Sequence, residues 1–257
     1  IRGPGGTLWG ANAVNGVINI VTKKAADTQG GLLSVGGGSE LNASGTLRYG
    51  STVSDLGHFR TWGKYFRVGD AGSLFDDNAL VTGGDSNDHW QNGQAGFRMD
   101  INLAQDESLT IIGGVQAVGA NSTYDLPYFT DPNIVRTNDS SEFQDYNLLA
   151  RWSRVLANDS EIQLQGYVDY YHSEDPTFAE QRSTVDLDFQ HRIKLSDRHD
   201  LLWGLGFRAT TDNFDNTEFV QMDPDSETDL LFSAFVQNEI TITDTLRLTL
   251  VHPDGGA

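Results

Sequence analysis

The sequence predicts an all-β fold, an antiparallel up-and-down transmembrane β-barrel with about 10 to 11 strands in this chain. Apolar and polar residues alternate with a period of two along most of the chain. The alternating runs are about 8 to 13 residues long, near the roughly 9 to 11 that cross a bilayer at a tilt. Short and long connections follow one another, which places tight turns on one rim and extended loops on the other.

Composition excludes several other classes of protein. The chain has 257 residues, 17 Lys and Arg against 36 Asp and Glu, and a formal charge of −19. Such a balance argues against nucleic acid as a partner, because phosphate binding needs positive charge. Cysteine is absent, which excludes disulfides, thiolate metal sites and a cysteine nucleophile. A mean hydropathy of −0.39, with no apolar run near 18 residues, excludes a spanning helix.

The strands are clearest where the alternation is unbroken. From Ala95 to Leu103 the odd positions are apolar, whereas the residues between them include Arg98, Asp100 and Asn102. Positions 162–170 and 185–193 alternate in the same way. Further strands are predicted at 43–49, 109–117, 146–152, 201–209 and 232–242.

The connections are read from clusters of turn-forming residues. We predict short links at 38–40, 54–55, 105–107, 157–159, 196–198 and 243–245. A medium loop is predicted at 174–180, and long loops at 69–91, 119–143 and 213–229. An up-and-down meander gives every second connection to the same rim, and the lengths largely follow that parity.

The charges on these strands fit two architectures. They lie opposite the apolar positions, at Arg60, Lys64, Arg98, Asp100, Arg151, Asp186, Asp188, Arg192 and Arg208. In a barrel they would line a wet lumen while the apolar face meets lipid. In a soluble β-sandwich the apolar face would be the core and the charges would meet bulk water. Loop parity favours the barrel.

The first residues follow a different pattern. They contain an Arg-Gly-Pro turn, a Trp-Gly pair, an Asn-Gly turn and an apolar strand ending in Thr-Lys, at Arg2, Gly3, Pro4, Trp9, Gly10, Asn15, Gly16 and 17–23. This order and spacing closely resemble the end of the plug domain of TonB-dependent outer-membrane receptors. The stretch 235–239 is also similar to a recurrent barrel-strand motif of that family.

The resemblance implies a plug folded inside a barrel of about 22 strands. Residues 1–29 would be the C-terminal part of the plug domain, and 30–257 the N-terminal half of the barrel. Receptors of this family take up ferric siderophores, haem or cobalamin, powered by the inner-membrane proton gradient through TonB. The segment that contacts TonB is missing from this chain, so we expect a truncated piece of a longer product.

The implied location is the Gram-negative outer membrane. The expected partners are its lipid and lipopolysaccharide, the TonB complex, and a small-molecule or metal-chelate ligand whose identity stays open. Plug arginines in the Arg-Gly-Pro turn are expected to pair with glutamates of the barrel wall. Alternation puts Glu239 on the polar side of its strand, so an Arg2–Glu239 pair is a hypothesis, with a water-facing Glu239 as its alternative.

The predicted loops are acidic, which should repel anionic ligands unless divalent cations intervene. Their acids are Asp70, Asp76, Asp77, Asp85 and Asp88 in the first loop, and Asp215, Glu218, Asp223, Asp225, Glu227 and Asp229 in the last. The spacing of Asp223, Asp225 and Glu227 invites a calcium interpretation, but the twelve-residue calcium loop with its central glycine is absent. Solvated charge, bridged to lipopolysaccharide by divalent ions, is the preferred interpretation.

Signals for catalysis or a cofactor are weak. The six histidines show no close metal-ligand spacing, and the sequence has neither a phosphate-binding Gly-rich loop nor a nucleophile elbow. Asp186 and Asp188 form a possible carboxylate pair, although alternation produces such pairs freely. We therefore predict no enzyme, no cofactor and no metal. The alternatives are a small outer-membrane barrel enzyme and an extracellular β-rich adhesin or binding module.

Overall fold

The computed structural model describes residues 21–70, 87–127 and 134–256, which form one antiparallel sheet of eleven strands. The strands are β1 Gly30–Gly36, β2 Leu41–Val53, β3 Gly57–Val68, β4 Trp90–Ala104, β5 Glu107–Pro127, β6 Ile134–Val155, β7 Glu161–Glu174, β8 Ala179–Ser196, β9 His199–Asp215, β10 Ser226–Thr243 and β11 Leu246–Gly256. A 3₁₀ turn at Ala25–Thr28 precedes β1. The predicted all-β fold and strand count are confirmed.

The strands pair in sequence order, so the sheet is a meander with β1 and β11 at its ends. Connections at 54–56, 105–106, 156–160, 197–198 and 244–245 form one rim, which we call the turn rim. The other rim, the loop rim, carries the connections 37–40, 69–89, 128–133, 175–178 and 216–225. The predicted sorting of loop lengths by rim is present only in part. The longest connections, 69–89 and 216–225, lie on the loop rim, but 37–40 and 175–178 on the same rim have four residues each, fewer than the five of 156–160 on the turn rim.

The predicted long loop at 119–143 is wrong. Residues 119–127 continue β5 and residues 134–143 continue β6, and the two strands pair from Gly119 with Glu142 to Pro127 with Ile134. The Tyr124 hydroxyl lies 2.6 Å from the Ser141 hydroxyl, and Thr123 donates to Asn138 at 2.9 Å. This hairpin extends past its neighbours, since β6 meets β7 only from Glu142 onward. A strand with water near both faces needs no apolar alternation, so the sequence signal disappears there.

Each strand presents one polar and one apolar face, and the register aligns them across the sheet. Arg60 lies opposite Arg98, and Asp186 lies opposite Arg208. We call this side the polar face, and the other side the apolar face. The predicted face charges, Arg60, Lys64, Arg98, Asp100, Arg151, Asp186, Asp188, Arg192 and Arg208, all occupy the polar face.

Burial separates the two architectures that the sequence left open. Among the described residues the only buried hydrophobic side chains are Ala25, Leu126 and Ala179. Large apolar side chains of the apolar face are exposed instead, including Leu47, Tyr49, Val115, Leu148, Leu187, Leu205 and Phe232. A sandwich would bury such residues between two sheets. The sandwich alternative is therefore wrong for the described chain, and the apolar face is suited to lipid.

Within the described ranges, no helix is long and apolar enough to span a membrane.

Candidate functional site

A short segment that precedes β1 lies against the polar face near the turn rim. We call Ala25–Thr28 the anchor segment. Ala25 is fully buried and Thr28 is 4% exposed, whereas Val21 is 83% exposed. The segment is stabilised locally, because the Thr28 hydroxyl donates to the carbonyl of Ala25 at 3.1 Å and Gln29 Nε2 donates to the same oxygen at 2.7 Å. The chain thus reaches its first strand from the polar side of the sheet.

Asp100 of β4 holds the anchor segment. Its Oδ2 accepts the backbone N–H of Ala25 at 2.7 Å, across 75 residues of sequence. Arg98 Nε lies 3.0 and 2.9 Å from the two Asp100 oxygens, and the Thr110 hydroxyl donates to Oδ1 at 3.0 Å. Arg98 also donates to the Thr22 hydroxyl at 3.0 Å. Hydrogen bonds to an ionised carboxylate are stronger than neutral ones, so Asp100 is the central group of the contact.

A glycine makes room for this contact. Gly50 of β2 lies under the anchor segment, and a Cβ there would be 2.5 Å from the Thr28 carbonyl oxygen and 3.3 Å from the Gln29 Cα. Both neighbours are backbone, which cannot swing aside as a side chain can. Only glycine therefore allows the segment to lie this close to the sheet.

A charged group occupies the middle of the polar face. Arg208 Nε donates to Asp186 Oδ2 at 2.8 Å, and the Asp186 side chain is only 6% exposed. The other Asp186 oxygen has no hydrogen-bond donor among the described residues. Asp188 is two residues along the same face, beside Gly206. The carboxylates that the sequence singled out are thus neighbours, and one arginine neutralises the more buried of them.

An ion pair and a charge-assisted hydrogen bond join further adjacent strands on the same face. Arg192 Nε is 2.9 Å from both oxygens of Asp200, and Arg151 Nε donates to Gln165 at 2.8 Å. Such pairs join neighbouring strands on a wall that faces water.

Glu239 lies on the polar face of β10, as alternation predicts. Arg247 Nη1 donates to its Oε1 at 3.0 Å, from the adjacent strand. Arg2 lies outside the described residues, as do Gly3, Pro4, Trp9, Gly10, Asn15 and Gly16. The Arg2–Glu239 pair therefore stays a prediction. In the structure Glu239 already has one cationic partner, Arg247.

A second cluster lies on the polar face near the loop rim. Arg182 is 3.0 Å from Glu180 and also pairs with Asp212, while the Tyr171 hydroxyl donates to Glu180. Phe143 packs on Tyr171 with ring centroids 5.5 Å apart. The sequence analysis missed this cluster, because its members come from four strands and no local pattern connects them.

Two carboxylates in the loops are held by local hydrogen bonds. The hydrogen bond from His89, at 3.1 Å, lowers the pKa of Asp70 below its ordinary value. Burial raises the pKa of Asp175, but hydrogen bonds from Thr177 and Phe178 outweigh it, and the pKa is lowered overall.

The acids of the last predicted loop are exposed, and in the part of the chain that the structure describes no group of three His, Cys, Asp or Glu could hold a metal ion. Asp76, Asp77 and Asp85 lie outside the described residues.

The predicted strand at 17–22 falls mostly outside the described residues. Its last two residues, Val21 and Thr22, are in no strand. Thr22 instead accepts the hydrogen bond from Arg98 as the chain approaches the anchor segment.

Comparison with solved structures identifies the fold. The siderophore receptor PirA of Pseudomonas aeruginosa matches with a TM-score of 0.67 at 13% identity, over 99% of this chain and 42% of that one. A mutant of the ferric enterobactin receptor PfeA of the same species, in complex with enterobactin, matches with a TM-score of 0.71 at 14% identity, over 99% and 44%. The FpvAI receptor in its complex with pyocin S2 matches with a TM-score of 0.64 at 16% identity, over 99% and 42%.

Sequence comparison adds one short match. The chain is 45% identical over 40 residues to the vitamin B12 transporter BtuB of Vibrio vulnificus (strain CMCP6), which covers 16% of this chain and 7% of that protein. No protein-family model matches the chain.

The fold is thus that of an outer-membrane β-barrel. More particularly, it is the partial barrel fold of TonB-dependent receptors, and the resemblance in the sequence is confirmed at that level. The predicted location in the Gram-negative outer membrane is confirmed with it. The similar proteins are receptors and transporters rather than enzymes. The chain spans less than half of the length of the receptors it matches.

Proposed function

We propose that this chain forms the end of a plug and the first part of the barrel wall of an energised outer-membrane nutrient receptor. The anchor segment is the observation that supports the proposal most directly. A chain that reaches its first strand along the polar face, held by Asp100, has come from the enclosed side of the wall. Neither a β-sandwich nor an open pore requires such a contact.

The proposed domain division follows from the same contact. Residues 1–29 would be plug, and the wall would begin with β1 at Gly30. TonB would act on plug residues that precede this chain, using the proton gradient. The ligand would be a scarce nutrient such as a ferric siderophore, haem or cobalamin, the classes named by the similar receptors and by the sequence resemblance.

Growth on single nutrient sources tests this function. The gene is deleted in its own bacterium, and cells receive ferric enterobactin, haemin or cyanocobalamin as the sole source of iron or cobalamin. We expect growth to fail on one source, to return with the intact gene, and to require both TonB and the proton gradient. Equal growth of deleted and complemented cells on every source tested would count against a receptor for these nutrients.

The Arg2–Glu239 contact is proposed as one seat of the plug. If it forms, Arg2→Ala and Glu239→Ala should each increase entry of large antibiotics through the intact receptor. Arg247→Ala is the matched control, because it removes the wall partner of Glu239 but leaves the carboxylate free for Arg2. Unchanged antibiotic sensitivity in both Arg2 and Glu239 variants would exclude this seat without affecting the growth experiment.

A further inference from the structure

An open groove crosses the apolar face in the half of the sheet nearer the loop rim. It runs from Leu33 of β1 to Tyr146 of β6, has a volume of about 640 Å³, and is bordered by Leu47, Tyr65 and Val115. Neighbouring strands are about 4.8 Å apart, so the five spacings from β1 to β6 give the groove a length of about 24 Å. One extended fatty-acyl chain fits within this length.

The floor of the groove consists of glycines that the fold does not need for its own packing. Among the described residues, a Cβ at Gly45 would meet no atom within 4 Å, and one at Gly63 or Gly93 would meet a single atom, 3.9 or 4.0 Å away. Gly50 differs, because the anchor segment lies against it. Glycine within a strand costs stability and often marks the close approach of a ligand. The open floor is therefore room for a group from outside the chain.

A smaller and more polar pocket adjoins the groove on its loop-rim side. Its volume is about 360 Å³, and it shares part of its lining with the groove, Tyr65 included. The polar side chains on the same side of the sheet in this pocket are Gln91, Glu142 and Gln144. The Tyr65 hydroxyl donates to Gln91 at 3.0 Å, and the Tyr146 hydroxyl donates to Gln144 at 3.1 Å. The two tyrosines thus mark the level at which this side of the sheet changes from apolar to polar.

A cation lies at that level. Arg67 is two residues beyond Tyr65 on the same side of β3, directly opposite Gln91, and its side chain is exposed. An arginine forms paired, charge-assisted hydrogen bonds with phosphate oxygens. Along β3 the order is therefore an open apolar floor at Gly63, an interfacial tyrosine, and a cation suited to a phosphate.

This order matches an amphipathic ligand with an acyl chain, a sugar and a phosphate. The longest connections lie on the loop rim, and in outer-membrane barrels the long loops are on the outside of the cell, so the groove lies in the outer leaflet. We infer that the outward side of β1–β6 is a binding site for the lipid A part of lipopolysaccharide. One acyl chain occupies the groove, sugar hydroxyls contact the polar pocket, and a phosphate pairs with Arg67. The site is separate from nutrient uptake and involves no plug residue.

Titration of the purified intact protein with lipid A tests the inference, with native mass spectrometry in detergent micelles as the measurement of bound lipid. Phosphatidylglycerol is the comparison lipid, because it has acyl chains and a phosphate but no sugar. We expect the wild-type protein to bind lipid A at a many-fold lower concentration than phosphatidylglycerol.

Variants locate the site. Gly63→Leu fills the groove from its floor, where the chain itself leaves space, and should weaken lipid A binding many-fold. Gly45→Leu is a second filling variant if Gly63→Leu is not assembled. Ala150→Leu is the matched control, because Ala150 is exposed on the apolar face outside the groove. Arg67→Gln should weaken binding by about tenfold, whereas Arg154→Gln, on the same side of the sheet near the turn rim, should not.

A wild-type protein that binds no lipid A would overturn the inference. Binding unchanged by both Gly63→Leu and Gly45→Leu would overturn the groove as the acyl-chain site, and binding unchanged by Arg67→Gln would overturn the phosphate contact. Equal binding of the two lipids would overturn lipopolysaccharide as the source of the ligand. Dimers of the wild-type protein that are lost in Gly63→Leu would show that a second copy of the chain covers the groove instead.

Discussion

Leu187 and Asp186 are consecutive residues of β8, yet the structure treats them in opposite ways. Taken as whole residues, Leu187 on the apolar face is 50% exposed, whereas Asp186 on the polar face is 4% exposed and pairs with Arg208. In a water-soluble sheet the two would exchange environments. The sheet therefore faces an apolar solvent on one side and water on the other. Substitutions on each face test the two environments separately.

The largest effect is expected where a charge is buried on the polar face. Arg208→Ala leaves the Asp186 carboxylate without its cation, and breaking a buried pair costs about 3–5 kcal/mol. Urea unfolding of the intact protein in detergent micelles, with heat-modifiable migration as the readout of folding, measures the loss of unfolding free energy. Arg208→Ala combined with Asp186→Asn should recover most of it, because no unpaired charge remains. A double variant as unstable as the single one would contradict the assignment.

The apolar face should be the next most sensitive. Leu187→Arg places a charge among lipid chains, at a cost of about 2–4 kcal/mol near the middle of the bilayer. Gln190→Arg is its control, on the polar face of the same strand, and should change the free energy of unfolding far less. Refolding into lipid vesicles over a urea series gives both values. Equal effects would mean that the two faces do not differ in solvent.

A smaller effect is expected for a carboxylate that belongs to neither face. Asp175 accepts hydrogen bonds from the Thr177 amide at 2.7 Å and the Thr177 hydroxyl at 2.6 Å. Because its pKa is lowered in the folded loop, this stabilisation is present above the ordinary Asp pKa and is lost as pH falls through the lower folded value.

Asp175→Ala should therefore speed amide exchange of Thr177 and Phe178 at neutral pH, by a loss of about 1 kcal/mol. The wild-type loop should approach the exchange behaviour of the variant only in strong acid. Asp223→Ala, in an exposed stretch of another loop, is the control and should leave these amides unchanged. Exchange at 177 and 178 that does not respond to Asp175→Ala would contradict the proposed hydrogen bonds.

The smallest effect is expected for an exposed pair on the polar face. Arg192 and Asp200 are 55% and 28% exposed, so water screens their attraction, and Arg192→Ala should cost at most about 1 kcal/mol. The same urea measurement in micelles checks it. The Arg208–Asp186 pair is the more buried of the two pairs, and we expect burial to make it the stronger. A loss of unfolding free energy for Arg192→Ala as large as that for Arg208→Ala would contradict this expectation.

Much of the fold was predictable because its signals are local. Alternation along 185–193 places Asp186 and Leu187 on opposite faces, and turn residues at 105–107 and 196–198 locate two of the reversals. The hairpin extension at 119–142 could not be predicted in this way. Its strands are held by cross-strand hydrogen bonds in water, which leave no apolar period in the sequence.

The sequence by itself determined an all-β meander, the side of each strand that is polar, the rim that carries the tight turns, and the resemblance of its first residues to a plug. Only the tertiary structure decided which charges meet. Arg208 finds Asp186 across 22 residues, and Ala25 finds Asp100 across 75, because strand register and the path of the chain bring them together. Alternation fixes the face of each side chain, but a register shifted by two residues gives the same faces, so alternation does not decide which charges on one face become partners.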